Sequence, residues 1–145
     1  MIEPVGVGEA EALAALHVRA FERPWSAAEI AKLLENPAAF ALLAREGRAL
    51  GFVLAWMVGG EAELLTVAVV PEARRQGVGA ALVEAACAAA RLAGAGMMHL
   101  EVGEDNLAAR GLYEQLGYEQ AGRRRGYYTG VNGPVDALLL RRALN

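Results

Sequence analysis

The sequence predicts a mixed α/β fold, one sheet covered by helices, and three observations lead there. Strand-length apolar runs alternate with segments of helical periodicity, in the order ααβββαβαββ with a further strand at 2–7. The apolar run Leu64-Leu65-Thr66-Val67-Ala68-Val69-Val70 passes through Pro71 and a glycine-containing loop into a long alanine-rich segment. The length of 145 residues suits one domain, 1–145, able to bury roughly two-thirds of its unfolded surface.

Residues 9–20 read as a helix, with Leu13, Leu16 and Ala20 at three-to-four spacing. Ser26-Ala27-Ala28-Glu29 is a capping box, and Trp25 before it can staple onto Ile30, so a second helix starts here and ends near Asn36-Pro37. The ranges 40–45 and 49–58 read as strands of a hairpin turning at Glu46-Gly47-Arg48. Gly59-Gly60 turns the chain into a strand over 62–70. The long helix follows and ends near Gly94-Ala95-Gly96. A short apolar strand over 97–102 leads to a helix over 107–116, capped by Asp105 or Asn106 and ended by Gly117. Strands over 118–125 and 135–143, joined by the loop 130–134, complete the sheet.

Composition narrows the function. The net charge of −3 argues against general nucleic-acid binding, and the arginine bias (Lys32 is the sole lysine among 14 basic residues) reflects composition, not a site. The lone Cys87 lies in the alanine-rich helix and excludes an intrachain disulfide; it reads as a small buried hydrophobe. His17 and His99 have no cysteine or carboxylate at ligand spacing, so no metal site is expected. The first residues lack the design of a signal peptide, and no apolar run is long enough to span a bilayer. A monomer in a reducing cytoplasm, with no membrane partner, is the expectation.

The junction Arg74-Arg75-Gln76-Gly77-Val78-Gly79-Ala80 carries the strongest functional signal. The first N–H groups of a helix lack internal acceptors and sit at the positive end of its dipole, and glycines let an anion approach the backbone closely. The site therefore suits a phosphate-bearing ligand. A Walker loop needs Gly-Lys-Ser or Gly-Lys-Thr, which is absent, and the dinucleotide fingerprint needs a third glycine where Leu82 stands. What remains, Arg-x-x-Gly-x-Gly at Arg74, Gly77 and Gly79, resembles the acetyl-CoA motif of the GNAT superfamily of N-acetyltransferases.

Acetyl transfer to an amine needs a base for the ammonium proton, stabilisation of an oxyanion, and a proton for the departing thiolate. Strand alternation puts His99 and Glu101 on one face of strand 97–102 and Met98, Leu100 and Val102 on the other. Glu101 falls at the C-terminal rim of its strand, where α/β sheets open their ligand crevice; an edge-facing solvated glutamate fits the spacing equally. Tyr113, on the next helix, is protonated at neutral pH and able to donate, although helical aromatics mostly pack.

The later half of the chain extends the resemblance. Leu100-Glu101-Val102, Asn106, Leu112-Tyr113-Glu114, Leu116-Gly117-Tyr118 and Arg124-Arg125-Gly126-Tyr127-Tyr128 are similar to the bacterial ribosomal-protein-alanine N-acetyltransferases, the RimI type. Phe21 and Pro24-Trp25-Ser26 are similar to that group's Phe-Pro-Trp-Ser, although Glu22-Arg23 interrupts it, and the loop 129–134 before Asp136-Ala137 also departs from the group's form. The resemblance implies a mostly antiparallel central sheet with a splayed parallel strand pair and helices on both faces. It implies Glu101 as general base, through water, and Tyr113 as general acid. Backbone of Val67, Ala68 and Val69 would pair with the pantetheine arm, with the Val69 N–H polarising the thioester carbonyl. Arg74, Arg75, Gln76, Gly77, Val78, Gly79 and Ala80 would hold the pyrophosphate, and Asn106 would touch the cofactor near its sulfur. Trp25, Tyr127, Tyr128 and Asp136 would line the acceptor site, for the N-terminal amine of a protein, a ribosomal-protein alanine by resemblance. A small amine or a lysine as acceptor, and a non-catalytic CoA sensor, are the alternatives the sequence leaves open.

Arg123-Arg124-Arg125 is a local basic run, read as a solvated strand end or a contact for an acidic partner.

Overall fold

The computed structural model describes residues 1–145. Strand β1 (Ile2–Val5) leads through a 3₁₀ turn (Val7–Glu9) into helix α1 (Ala10–Ala20), then α2 (Ala27–Leu34). Strands β2 (Ala39–Glu46), β3 (Arg48–Val58) and β4 (Glu61–Val69) form a meander, followed by a second 3₁₀ turn (Pro71–Ala73) and α3 (Val78–Leu92). Strand β5 (Met97–Gly103), α4 (Leu107–Gln115), β6 (Glu119–Gly130) and β7 (Gly133–Ala143) complete the chain. The seven strands lie in the order β1-β2-β3-β4-β5-β7-β6, and every neighbouring pair is antiparallel except β4–β5.

Local chemistry accounts for the boundaries. Ser26 caps α2 by accepting the Glu29 N–H (3.1 Å), and the Glu29 carboxylate returns the bond to the Ser26 N–H (3.0 Å), the reciprocal box read from the sequence. Gly47 turns the β2–β3 hairpin with φ +73°, a backbone that costs a side-chain-bearing residue about 1 kcal/mol or more.

Two apolar layers sandwich the sheet. Leu82, Val83, Ala86 and Ala90 of α3 pack with Met98, Leu100, Val102, Tyr113 and Leu138 on one face. Leu13, Leu16 and Ile30 of α1 and α2 pack with Leu43, Phe52, Leu54, Ala68 and Val70 on the other. Helices thus cover both faces, as the resemblance implied.

The last hairpin corrects the sequence reading. Strand β6 runs to Gly130 rather than ending near Arg125, and β7 begins at Gly133. Between Arg124↔Ala137 and Tyr128↔Val135 three residues of β6 face a single residue of β7, so the strand bulges. Gly126 takes φ +60° there, and its N–H donates to the Asp136 carboxylate (2.8 Å). This hydrogen bond carries the strand past Gly126, after which Tyr127, Tyr128 and Thr129 suit a strand.

Candidate active site

Strand β4 contains the feature on which the site is built. Its parallel pairing with β5 covers only Ala62↔Met98 and Glu63↔His99, after which the strands part. At the same point β4 carries a bulge: Leu54 opposes Thr66 while Ala55 opposes Leu64, leaving Leu65 as the extra residue. The bulge reverses the strand's facing. Ala62 and Leu64 point toward α3, whereas Ala68 and Val70 point toward α1 and α2. Simple alternation puts all four on one face. Downstream of the bulge the Val70 N–H bonds the Leu50 carbonyl of β3 (3.0 Å). Because backbone groups alternate sides along a strand, the N–H and C=O of Val67 and Val69 turn toward the opened notch. Those of Ala68 are directed to β3 opposite Phe52. Arg74 Nε donates to the Val69 carbonyl (3.2 Å) and so folds the following loop back over the strand end.

Beyond the notch lies a cradle of free donors. The N–H groups of Arg75, Gln76, Gly77, Val78, Gly79 and Ala80 have no acceptor within the protein; that of Ala81, bonded to the Gly77 carbonyl (3.0 Å), is the first in α3 to be satisfied. Arg75 (φ +62°) and Gly77 (φ +80°) have left-handed backbone, and Arg75 is the only non-glycine residue that does. Such alternation makes a concave nest for anions, and strain of this kind is kept where surrounding structure enforces it. Gln76 bonds the Glu72 carbonyl (3.0 Å), and Glu72 in turn binds Arg19 and Arg48. These two guanidinium groups hold the Glu72 carboxyl well below the usual carboxylate range, at about 2. The loop is thereby tied to α1 and to the β2–β3 hairpin. A run of unpartnered donors at the positive end of a helix fits a pyrophosphate.

Glu101 lies on β5, paired with Leu139 of β7, on the face away from the buried Met98, Leu100 and Val102. Its side chain is 24% exposed, and it accepts a hydrogen bond from Arg124 of β6 (2.7 Å). The Arg124 guanidinium lies over the Tyr127 ring at 3.8 Å. Tyr113 of α4 is buried, its ring edge-on to Tyr118 (5.5 Å). No fully buried polar side-chain atom in the molecule lacks a partner. The Tyr113 hydroxyl bonds no protein group, so it reaches solvent, while burial pushes its phenol up to about 12.

Residues 10–118 match the family model described as the acetyltransferase (GNAT) family. The chain belongs to the GNAT acetyltransferases. It is 36% identical over 129 residues to the bS18-alanine N-acetyltransferase of Escherichia coli K12, spanning 88% of this chain and 87% of that protein. It is 34% identical over 152 residues to the N-alpha-acetyltransferase RimI of Mycobacterium tuberculosis, spanning 97% and 93%. The crystal structure of the E. coli ribosomal-protein-S18-alanine N-acetyltransferase superposes with a TM-score of 0.92 at 30% identity, over 100% of this chain and 94% of that one. Arabidopsis thaliana NAA60, solved with a bisubstrate analogue, shares the fold at 18% identity and TM-score 0.82. The protein is thus a GNAT enzyme of acetyl-CoA-dependent acetyl transfer, close to the RimI type.

Within this GNAT frame the other sequence-predicted residues take definite places. Asn106 caps α4, its side-chain oxygen accepting the Ala109 N–H (3.2 Å). Tyr127 and Tyr128 are both exposed on β6, edge-on to each other at 5.1 Å. Both oxygens of Asp136 are committed, one to the Gly126 N–H and the other to Arg123 (2.7 Å), so this carboxylate braces the β6–β7 hairpin. Those two partners hold its carboxyl below the ordinary range. Arg123 also binds Glu104 (2.5 Å). Two arginines of the expected solvated run thus make three ion pairs within the protein, Arg123 with Glu104 and Asp136 and Arg124 with Glu101; the sequence positions of these charges did not announce their pairing. No three His, Cys, Asp or Glu side chains gather to hold a metal ion, and no helix is long and apolar enough to cross a membrane.

Sequence reasoning weighed His17 only as a metal ligand. Its imidazole is 3% exposed, accepts the Trp25 N–H at Nδ1 (3.0 Å) and meets Thr66 Oγ1 from Nε2 (3.1 Å). Since Nδ1 accepts, the ring proton sits on Nε2 and donates to Thr66. Burial holds its pKa below the ordinary histidine value, against the raising influence of Glu29. The available signal was Thr66, the one polar residue in the run 64–70.

Proposed function

We propose that this GNAT enzyme, folded as one domain over 1–145, acetylates the N-terminal α-amine of a protein, a ribosomal-protein alanine first among the candidates. The observation that carries the catalytic reading is the notch itself: β4 leaves β5 after Glu63, frees the backbone of Val67 and the N–H of Val69, and runs into six unpartnered N–H donors. Acetyl-CoA, when bound, supplies the activated acyl group as a thioester. Val67 and Val69 would hold its amide arm as an added strand holds an edge, and 75–80 its pyrophosphate. The 36% identity to the E. coli bS18-alanine N-acetyltransferase over 87% of that protein, and the 34% identity to the M. tuberculosis N-alpha-acetyltransferase RimI over 93% of it, support the acceptor.

Glu101 takes the proton from the acceptor's ammonium, directly or by way of water. Its pairing with Arg124 keeps the carboxylate oriented toward the β6 side, where Tyr127 and Tyr128 stand exposed. Tyr113, whose phenol stays protonated throughout the neutral range, gives its proton to the departing thiolate. Holding amine and acyl carbon together contributes the larger share of the rate.

The test is thiol release from acetyl-CoA against hexapeptides beginning with Ala, Ser or Thr, beside polyamines, aminoglycosides and a lysine-containing peptide with a blocked N-terminus. Turnover confined to free N-terminal peptides, alanine foremost, is expected. Turnover confined to small amines or to lysine would replace the acceptor, and tight acetyl-CoA binding with no turnover would make the protein a sensor.

A further inference from the structure

His17 joins the loop that follows α1 to strand β4. It lies near the end of α1, and the loop that follows, 21–26, returns over it: Phe21 stacks on the imidazole at 4.4 Å with planes 25° apart, and Trp25 stacks at 5.0 Å and 14°. Phe52 of β3 closes a third side at 6.0 Å. On its inner edge Nε2 reaches Thr66, which stands three residues past the last β4–β5 pair and so within the parted stretch of β4. The Leu65 bulge is what turns Thr66 to the α1 face. One imidazole is thus hydrogen-bonded on one side to the backbone of the loop and on the other to the strand that flanks the notch. Phe21 is 39% exposed although its ring packs on the histidine, so the loop presents an aromatic surface outward.

Resting on the acceptor reading above, in which Trp25 lines the acceptor site, we propose that His17 is a positioning residue that fixes the 21–26 loop, with Phe21 and Trp25, over the flank of the notch. The strut requires the Nε2–H tautomer. It requires an acceptor at position 66, because a buried ring N–H without one costs its full desolvation and forces the ring, and the loop stacked on it, to move.

The experiment is a pair of near-isosteric changes, Thr66→Val and Thr66→Ser, with His17→Phe as a second probe that keeps an aromatic ring and removes both hydrogen bonds. Michaelis constants are measured separately for an Ala-initiated hexapeptide and for acetyl-CoA, together with Trp25 emission in a Trp56→Phe background. Thr66→Val and His17→Phe are expected to raise the peptide KM about tenfold, the equivalent of one lost hydrogen bond, with acetyl-CoA KM unchanged within about twofold. Thr66→Ser is expected to restore the peptide KM, and Trp25 emission is expected to shift in the two impaired variants only. Peptide and acetyl-CoA constants that rise together, or a peptide constant that matches wild type in Thr66→Val, would overturn the positioning role. A wild-type enzyme that turns over no peptide but acetylates a small amine would instead overturn the acceptor reading, an outcome readable before any variant is made.

Discussion

Glu101 and Tyr113 are set in opposite surroundings, and that contrast suits opposite proton roles. The carboxylate is partly exposed and hydrogen-bonded to Arg124; the phenol is buried, which favours the neutral donor. Glu101→Gln is expected to lower kcat by about 10²–10⁴-fold while the acetyl-CoA Kd, measured by calorimetry, stays as in wild type. Tyr113→Phe is expected to lower kcat by about 10²-fold or more with both KM values preserved. Because the phenol titrates at about 12, no alkaline loss of kcat up to about pH 10 belongs to Tyr113, and a stopped assay across that range checks this. At this scale Glu101 and Tyr113 could be singled out in the sequence, but their roles came from the resemblance, since spacing alone fits a solvated glutamate and a packed tyrosine as well. The Arg124 guanidinium on Glu101 could not, since it arrives from 23 residues away on a strand two positions over in the sheet.

Strand β4 and the loop behind it work as one element. Gly51 of β3 lies opposite Val69, and a Cβ at Gly51 would stand 2.4 Å from the Ala68 carbonyl oxygen and 3.1 Å from the Val69 Cα. Backbone of β4 would have to yield. Gly51→Ala is expected to cost about 1–3 kcal/mol, seen as a lowered Tm, and to weaken acetyl-CoA binding as well. Gly77 is different: a Cβ there meets nothing within 4 Å, but its φ of +80° is strained for any side chain. Gly77→Ala is expected to lose about 1 kcal/mol of stability and to raise the acetyl-CoA Kd, because relaxing the angle re-aims the neighbouring N–H groups. At Gly79 a Cβ makes ordinary contacts with Leu112 (3.6 Å) and Val69 (3.7 Å), so alanine fits. The paired glycines were legible as a cradle. The bulge at Leu65 was not, because nothing in the run 64–70 breaks its apolar pattern except Thr66, and facing is decided by the partner strand.

Across the whole molecule the sheet divides two apolar layers, and one buried titratable group spans the α1–β4 boundary. His17 prefers its neutral form in the fold because burial lowers its pKa below 6.5, while in the unfolded chain it titrates near the ordinary value. Its stabilising contribution is therefore present above about pH 6.5 and is lost as pH falls through the lower, folded value. A thermal-unfolding series from about pH 8 to 5 is expected to show a fall in Tm through this window that His17→Phe removes, beyond what the protonation of carboxylates such as Glu72 contributes at lower pH.

By itself the sequence determined the periodicities, the cap at Ser26, a cap for α4 at Asp105 or Asn106, the hairpin at Gly47 and the glycine-bearing turn before α3, because each depends on residues within a few positions of one another. Those local terms were enough to place a mixed α/β sheet and an anion cradle. The tertiary structure alone decided how β4 parts from β5, which of its residues face the notch, where Arg124 and Asp136 spend their charges, and why His17 is buried. Each of these is a contact between distant segments, whose free energy exists only once the sheet has brought them together.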